Sequence, residues 1–285
     1  MSPRTVPTGF EDFCQSFKHW RIFTLLGWHR VKGNYKRTVL GDFWVTLSLA
    51  IRIITIGVVF SFIFESSRAD YIPHLALGFI FFGLITANIN FSCKIWVQAA
   101  GIIKQLPIPL HTHLLQLYWQ NLILLGHNLV ILPGIWWYAK ISPDWYMCWA
   151  LLGILIVQLN VSWMSLLVAV VCARYRDLAQ IITNLMQISY FLTPIMWTPD
   201  RILGKARLRI SWINWDGSNW RWKETYLELL DLNPFYHLIE IVRAPLLLKP
   251  VQDHHWIISL AMMVIGWLLA LIVFQKARPK IVYWL

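Results

Sequence analysis

Charged residues are scarce in this chain of 285 residues. They make up 14% of the sequence, whereas hydrophobic residues make up 58%. Soluble domains carry about 25% charged residues, so this composition excludes a soluble domain of comparable length. Several apolar runs are about 20 residues long, which is the length that crosses a bilayer as a helix. The composition therefore predicts an all-α polytopic membrane protein.

Motifs of catalysis and nucleotide binding are also absent. The sequence contains no GxxxxGK[ST] phosphate loop, no HExxH motif and no GxSxG motif. Asp and Glu lie almost entirely outside the apolar runs, which leaves a carboxylate-based hydrolysis site or a proton relay without an evident place. We therefore expect no catalytic residue in this chain and no cofactor bound by it.

Metal-binding patterns are missing as well. The four cysteines are far apart and form no CxxC pair, which predicts buried thiols. His127 is a lone histidine in an apolar run and is expected to be a hydrogen-bonded core residue. His254-His255 precedes the last apolar run and lacks partners for a metal ion. The sequence therefore predicts no metal site.

The net charge of +11 has two interpretations. In a soluble protein it would indicate a nucleic-acid partner. Here the basic residues are dispersed between apolar runs, and no nucleic-acid-binding module is recognisable. We therefore attribute the excess to cytoplasmic loops that follow the positive-inside rule, and we expect no nucleic-acid partner.

Six membrane spans and cytoplasmic termini are predicted. The first long apolar run begins near Phe43 and is interpreted as a span rather than a signal peptide. The two short outer loops hold only Arg68 and Lys140 as basic residues. A cytoplasmic interfacial helix and basic linker occupy residues 1–43, and the transmembrane domain occupies residues 44–285. The predicted spans are 44–64, 73–93, 112–139, 147–171, 179–197 and 256–274, with an outer loop over residues 198–255.

An amphipathic helix is predicted near the start of the chain. Residues 9–29 place Phe10, Phe17 and Trp20 at helical spacing, and charged residues fall largely elsewhere on the helical wheel. The helix could lie in the membrane interface or pack on the cytoplasmic face of the protein, and the pattern alone favours neither. A basic linker over residues 29–37 follows it.

The predicted outer loop contains two local signals. Asp216-Gly217 lies at the centre of an alternating stretch, residues 211–222, which predicts a β-hairpin with a type I′ turn. Asn233-Pro234 predicts a helix N-cap followed by proline in the first turn. The helix ends by Pro245 and is too short to span a bilayer.

Two stretches carry a family resemblance. The first runs from Arg174 to Trp197 as RYRDLAQIITNLMQISYFLTPIMW, and the second is LNPFYHLIEIVRAP, residues 232–245. A charged RD cluster, an apolar run ending in FLTPI and an NP-led helix, in this order, resemble the permeases of polysaccharide-exporting ABC transporters. The VLG stretch before the aromatic residues at 43–44 is similar to the same family. These transporters move O-antigen, capsule or teichoic acid chains across the bacterial inner membrane.

The resemblance implies a homodimer that encloses a channel and pairs with two copies of a separate nucleotide-binding ATPase. ATP and magnesium would bind to that ATPase. Closure of the two ATPase subunits would then move an undecaprenyl-diphosphate-linked polysaccharide outward across the membrane, and this chain would contact the membrane lipids. The loop signatures look closest to the O-antigen type, so we expect a role in lipopolysaccharide biosynthesis in a Gram-negative inner membrane. The hairpin at residues 211–222 is an insertion relative to the family pattern, and its role stays open.

Family position also implies candidate site residues. The cytoplasmic loop with Lys104, Gln105 and Pro107 corresponds to a coupling helix that docks on the ATPase, and a simple connector is the alternative. The NP-led helix corresponds to a gate at the outer mouth, and an additional gate helix is expected around residues 200–208. The candidate gate residues are Asn233, Pro234, Phe235 and Tyr236.

Arg52 is the exceptional residue of the first span. An arginine at the centre of a membrane helix costs at least about 2.5 kcal/mol unless it is paired or hydrated, so it should face the bundle interior or a water-filled channel. It could bind the diphosphate of a lipid-linked glycan, form a structural ion pair, or extend toward the interface. Arg30, Lys36 and Arg37 could capture the same headgroup at the cytoplasmic mouth, or reflect the positive-inside rule alone.

The 18 tryptophans are interpreted mainly as interfacial belts. A subset could line a sugar path, because flat aromatic faces stack on the apolar faces of pyranose rings. Trp163 lies in mid-span, and Tyr190 and Trp197 lie near the predicted outer mouth. These three residues are the candidate glycan contacts.

Three alternative functions stay open at this point. An ABC-type efflux permease for a drug or lipid would share the architecture but have fewer aromatic residues along the channel. A polytopic glycolipid-processing enzyme would need a carboxylate near the bilayer surface, for which Asp42, Asp177 and Asp200 are the only candidates. A non-catalytic membrane scaffold would account for the topology but not for Arg52 or the gate helix.

Overall fold

The computed structural model describes residues 8–34, 41, 43–63, 67–198 and 230–285, which form helices and no strand. A 3-10 helix at Trp145–Cys148 precedes the ninth α-helix. The α-helices are α1 (Gly9–Lys18), α2 (Trp20–Asn34), α3 (Phe43–Ile63), α4 (Arg68–Ser92), α5 (Ile95–Gln98), α6 (Ala100–Gln105), α7 (His111–Leu129), α8 (Ile131–Ala139), α9 (Trp149–Arg174), α10 (Leu178–Leu192), α11 (Pro234–Leu246) and α12 (Asp253–Trp284).

Within these residues, five helical stretches are long and apolar enough to cross a membrane. They are α3, α4, α7 with α8, the 3-10 helix with α9, and α12. This finding confirms the predicted all-α polytopic class. α10 is apolar but has only 15 residues, and at 1.5 Å per residue it is shorter than the roughly 30 Å hydrocarbon core. The sixth span therefore stays a prediction.

The third apolar stretch, predicted as one run over residues 112–139, is broken. α7 ends at Leu129, and α8 begins at Ile131 after a single intervening residue, Val130. Pro133 has no N–H to donate to the carbonyl of Leu129 four residues earlier, so the proline accounts for the break.

α10 ends earlier than the predicted span over residues 179–197. Its last residue is Leu192, and Thr193 is extended, with φ −83° and ψ 137°. The residue before a proline is disfavoured in the helical region, and Pro194 follows Thr193. Residues 193–198 therefore continue the chain without helical structure.

The last span is longer than its predicted range of 256–274. α12 has 32 residues and contains Pro279. Its C-terminal turns carry the basic residues Lys276, Arg278 and Lys280. The apolar run, on which the prediction of spans depends, therefore covers only part of this helix.

Successive long helices alternate in direction, which gives the bundle two ends. At one end α1 meets the C-terminal part of α12, where the Phe10 N–H donates to Gln275 Oε1 at 2.8 Å. This is called the α1 end, and it also holds α5 and α6. At the opposite end, called the α11 end, the N–H of Val251 donates to the hydroxyl of Tyr146 at 3.2 Å.

α4 is the central helix of the bundle. It is buried along most of its length and packs against α3, α7, α9 and α11. Leu75, Phe81 and Ile85 are fully buried in the main hydrophobic core. Gly153 of α9 lets α11 approach closely, because a Cβ at this position would lie 2.6 Å from the carbonyl oxygen of Ile241.

The N-terminal helix is attached to the bundle by a buried carboxylate. Asp12 is fully buried and accepts hydrogen bonds from the backbone N–H groups of Leu110 and His111, both at 3.1 Å. Its Oδ2 also pairs with Nε of Arg278 at 2.5 Å. A buried ion pair needs further hydrogen bonds to offset the cost of desolvation, and the two N–H groups provide them here.

The predicted amphipathic helix over residues 9–29 is two helices, α1 and α2, with a break at His19. α1 turns Gly9, Asp12 and Ser16 toward the protein, while Phe10 and Phe17 are exposed. The helix therefore packs on the bundle and also offers an apolar surface to a membrane interface. The exposed apolar residues of α1 and α2 include Phe10, Phe17, Trp20, Leu25 and Trp28.

Some predicted features lie outside the described residues. They are the basic residues Lys36 and Arg37, the additional gate helix around residues 200–208, and the hairpin at residues 211–222. The predicted basic linker begins inside α2, which continues to Asn34.

The buried ion pair of Asp12 leads to a prediction about stability. Asp12→Ala leaves Arg278 and two N–H groups buried without their partner, so the free energy of unfolding should fall by about 3–5 kcal/mol. Arg278→Met in the same background should recover part of the loss, because it removes the uncompensated charge. The measurement is the thermal unfolding midpoint of the purified protein in detergent. An equally large drop for Glu11→Ala, an exposed neighbour, would contradict this assignment.

Candidate functional site

A large cavity lies between α3, α4, α7 and α10. Its volume is about 820 Å³, which is in the usual range for ligand-binding cavities of roughly 300–1,000 Å³. Most of the lining is apolar, but each of the four helices also contributes polar side chains. The polar lining residues are Ser48, Arg52, Thr86, Asn90, Asn121, Asn128, Thr183, Gln187 and Tyr190.

Helical periodicity creates the polar lining. Ser48 and Arg52 are four residues apart on α3, and Thr86 and Asn90 have the same spacing on α4. Residues four apart share one face of an α-helix. Each helix therefore turns its polar groups to the same side of the bundle.

Arg52 lies near the middle of α3 and lines the cavity. Its side chain is exposed in the single chain, and so are its neighbours Ile51 and Ile54. Among the ion pairs formed by the described residues, none involves Arg52. The guanidinium is therefore a charged donor in an open cavity at membrane depth.

Several buried polar atoms of the lining have no hydrogen-bond partner within the described part of the chain. They are Oγ1 of Thr86, Oδ1 of Asn90 and of Asn128, and both polar side-chain atoms of Asn121. Buried polar groups in folded proteins are nearly always hydrogen-bonded, and an unpaired one costs about 1–3 kcal/mol. Water or a polar ligand in the cavity would satisfy these atoms.

The lining chemistry suits an anionic molecule that also carries hydroxyl groups. Arg52 offers planar donors for an anionic oxygen. The amides of Asn121 and Gln187 both donate and accept hydrogen bonds. The described lining residues include no carboxylate, cysteine or histidine.

Tyr190 forms an aromatic wall of the cavity. Its ring stacks on Phe79, with ring centroids 5.9 Å apart and an interplanar angle of 23°. It also contacts Phe82 at 5.7 Å. Of the three candidate glycan contacts, Tyr190 is the one among the described residues that line the cavity.

The other two candidate glycan contacts lie elsewhere. Trp163 donates its Nε1–H to Asn160 Oδ1 at 3.1 Å and packs on Gly266 of α12, where a Cβ would lie 2.1 Å from the indole ring. Trp197 donates its Nε1–H to the carbonyl of Phe191 at 3.2 Å. Depth along a span, the basis for choosing these residues, does not define which face of the helix they occupy.

Arg243 forms a buried polar junction at the α11 end. Its side chain is 2% exposed, and Nη1 donates to the carbonyl of Pro194 at 2.7 Å. The same nitrogen contacts Nε2 of His74 at 3.2 Å, and Nε donates to Oε2 of Glu240 at 3.0 Å. One side chain thus ties α11 to α4 and to the irregular segment after α10.

Asn233 adds a second contact to this junction. Its Oδ1 accepts a hydrogen bond from the N–H of Phe235 at 3.0 Å, and Pro234 occupies the first turn, which confirms the predicted N-cap. Its Nδ2 donates to Oγ1 of Thr193 at 3.0 Å. The two stretches that carry the family resemblance therefore meet in space.

The remaining gate candidates connect the junction to its surroundings. The ring of Phe235 packs edge-on against Phe82 at 5.9 Å, and Phe82 also contacts Tyr190. Tyr236 lies 5.1 Å from the ring of His255. The N-terminal turn of α11 is thereby joined to the aromatic wall of the cavity.

The candidate coupling residues are exposed at the α1 end. Lys104 and Gln105 close α6, and Pro107 lies in the turn after it. Their apolar neighbours Ile102 and Leu106 are 47% and 51% exposed. The loop therefore presents a mixed apolar and polar surface.

Arg30 lies apart from Arg52. It belongs to α2 and donates Nη2–H to Oε1 of Gln98 at 2.9 Å, at the α1 end. It is not among the described residues that line the cavity. The structure therefore places the two arginines in separate environments.

A histidine cluster at the α11 end was not expected from the sequence. His237, His254 and His255 each place one ring nitrogen within 4.8 Å of the others. His237 precedes His255 by 18 residues, and only the packing of α11 on α12 brings it to the His254-His255 pair. The fold thus brings a third histidine, His237, to the His254-His255 pair.

Most of the polar cavity lining was also missed from the sequence. Asn90, Asn121, Asn128 and Gln187 were not singled out, although each lies in or beside an apolar run. The available signal was their position, because polar side chains at membrane depth face the bundle interior or a water-filled cavity. Asn121 and Asn128, seven residues apart, share one helix face.

Comparison with known protein families gives a match for this chain. The sequence profile described as ABC-2 type transporter matches residues 23–215, about two thirds of the chain. The chain belongs to the ABC-2 type transporter family. The match includes all four helices that line the cavity. A search of curated proteins finds no match.

Membership of the ABC-2 family defines the role of the chain in general terms. Members are the membrane components of transporters and work with a partner ATPase. This chain is therefore a multi-pass transmembrane subunit of an ABC exporter.

The Arg243 junction of this ABC-2 permease predicts a large effect of one substitution. Arg243→Met leaves Glu240 and the carbonyl of Pro194 without their partner, so the free energy of unfolding should fall by about 3–5 kcal/mol. The matched control is Lys249→Met, an exposed residue at the same end that should change stability little. Thermal unfolding in detergent measures both. Equal midpoints for the two variants would show that the junction does not stabilise the fold.

Proposed function

We propose that this chain is the transmembrane subunit of an ATP-driven exporter of lipid-linked polysaccharide, with an O-antigen chain on undecaprenyl diphosphate as its substrate. Two copies of the chain enclose the channel, and two copies of a separate ATPase bind ATP and magnesium. The complex lies in a bacterial inner membrane, and both termini of this chain are cytoplasmic.

The observation that carries this proposal is the cavity around Arg52. A lipid-linked glycan combines a diphosphate with many hydroxyl groups, and the cavity combines a guanidinium with unpaired amides and hydroxyls. Arginine suits phosphate because its planar donors can bind two oxygens at once. Tyr190 adds an aromatic face on which a sugar ring can stack.

The uncovered side of the cavity supports a dimer. α3 and α10 flank the cavity, and both expose large apolar residues in the single chain. A second copy on this side would cover these residues and turn the open cavity into part of a closed channel. The exposed apolar residues include Ile51 and Ile54 on α3 and Ile181, Leu185, Ile188, Phe191 and Leu192 on α10.

The distribution of basic residues supports the orientation. The α1 end holds many lysines and arginines, whereas the described residues of the α11 end hold few. Cytoplasmic segments of membrane proteins carry an excess of basic residues. The α1 end is then cytoplasmic, with α6 and Pro107 positioned for the ATPase, and α11 lies at the outer mouth as part of its gate.

The proposal predicts how Arg52 affects ATP hydrolysis by the complex. The assay is the ATPase activity of this chain with its partner ATPase in nanodiscs, titrated with undecaprenyl-diphosphate-linked glycan. Arg52→Gln should weaken the apparent affinity for the glycolipid by about tenfold or more, because it removes a charge-assisted contact worth about 1.5–3 kcal/mol. The matched control is Arg68→Gln, because Arg68 is an exposed arginine at the first residue of α4.

Two results would contradict this proposal. Equal stimulation by a simple anionic phospholipid would favour the efflux-permease alternative. An unchanged affinity in Arg52→Gln would remove Arg52 from the substrate path.

The coupling surface leads to a separate prediction. Leu106→Glu introduces a charge into the exposed apolar surface after α6, so it should reduce co-purification of the partner ATPase by about tenfold, as expected when a charge is buried in an apolar contact. Tyr283→Glu, at an 89% exposed position of the same end, should leave co-purification unchanged. Equal loss in both variants would argue against a specific docking site at α6.

A further inference from the structure

The α11 end contains a cluster of polar groups that the proposed transport cycle does not use. It joins His237 on α11 with His254 and His255 in the first turn of α12. Asp231, just before α11, lies beside them, with its Oδ1 3.9 Å from Nε2 of His254. The cluster thus offers three imidazoles and a carboxylate at one place.

We propose that His237, His254 and His255, together with the carboxylate of Asp231, bind a divalent transition-metal ion of the zinc class. Imidazole nitrogen and carboxylate oxygen are the ligands that zinc accepts in four-coordinate protein sites. The ligand atoms of the three histidines lie within 4.8 Å of one another, close enough to converge on one ion.

His237 is held in the orientation of a metal ligand. Its Nε2 lies 2.7 Å from the carbonyl oxygen of Asp231, and a carbonyl can only accept, so this nitrogen carries the proton. The lone pair of Nδ1 therefore points into the cluster, toward His255. Metal-binding histidines commonly donate their other N–H to a backbone carbonyl in this way, which fixes the ring and its tautomer.

His254 has a free coordinating nitrogen. Its Nε2 is buried and has no hydrogen-bond partner within the described residues, although the side chain as a whole is 42% exposed. An unpaired buried nitrogen is unfavourable, and a metal ion would satisfy it. The exposed part of His254 and the 58% exposed side chain of Asp231 leave the cluster open to an ion from solution.

Metal binding requires the three histidine side chains to move, because their ligand atoms lie at separations of up to 4.8 Å. Nδ1 of His237 and Nδ1 of His255 are 2.7 Å apart and share a hydrogen bond. Two nitrogens bound to one tetrahedral zinc at about 2.0–2.1 Å each lie roughly 3.3 Å apart. The ion would replace the shared proton, which would move to Nε2 of His255, and the two Nδ1 atoms would separate by a few tenths of an ångström.

Binding of the ion would restrict the movement of α11 relative to α12. His237 lies on the short helix α11, whereas His254 and His255 open the long helix α12. An ion shared by the two helices would fasten α11 to the outer end of the last span. The site acts as a clamp on α11, on a different part of the helix from the Arg243 junction.

Zinc binding to the full-length chain tests this proposal. The protein is purified in detergent with an affinity tag that contains no histidine, treated with a chelator, and exchanged into chelator-free buffer. We expect one zinc ion per chain by elemental analysis and a rise in the thermal midpoint on addition of zinc. Cobalt in place of zinc should produce the visible absorption of a four-coordinate ion.

Matched variants separate the site from other histidines. His254→Gln should weaken zinc binding by at least about tenfold without disturbing the fold, because its Nε2 makes no hydrogen bond within the described residues. His255→Gln should also weaken zinc binding, and the control His127→Gln, a histidine of α7, should bind zinc like the wild type. Absence of stoichiometric zinc, or equal affinity in His254→Gln and His127→Gln, would overturn the proposal.

Discussion

The guanidinium of Arg243 is the contact on which the architecture of the α11 end depends. α10 stops at Leu192, and after the N–H of Thr193, which still donates to the carbonyl of Ser189, the backbone up to residue 198 is not helical. Irregular backbone at membrane depth is tolerated only where protein or water satisfies its polar groups. Arg243 satisfies the carbonyl of Pro194, and the hydroxyl of Tyr71 donates to the carbonyl of Met196 at 2.6 Å. Without these donors, the segment could not lie against α4.

The junction and the cavity contain similar polar groups that differ in hydrogen bonding within the described residues. At the junction, Arg243, Asn233 and Thr193 are all hydrogen-bonded to protein, so the region is a fixed structural contact. In the cavity, Asn121 and Asn128 retain unpaired atoms beside Arg52 within the described residues. A fully satisfied polar network rigidifies a fold, whereas an unsatisfied one needs an occupant. This contrast, more than the presence of polar residues alone, is the reason for proposing the cavity as the binding site.

The sequence patterns predicted the positions of the helices better than the side of each helix on which a residue lies. The apolar runs located α3 and α9 to within a few residues, and Asn233-Pro234 located the start of α11, because hydropathy and capping are local properties. The end of α10 was misplaced because an apolar run continues past a helix-breaking proline. The chosen position of Trp163 reflected depth alone, whereas its packing on Gly266 depends on the tertiary fold. The histidine cluster joins residues on separate helices, which no local pattern records.

The distribution of packing indicates which side of the subunit can move. α11 is fixed to α4 through Arg243, and several of its residues are completely buried. α10 has a single buried residue, Met186, and α3 has four, so these two helices make few tertiary contacts for their length. Elements with little buried surface open at the lowest free energy. Because α3 and α10 also flank the cavity, the single subunit is least packed on the side that the proposed second copy would cover, while α11 forms a well-packed rim.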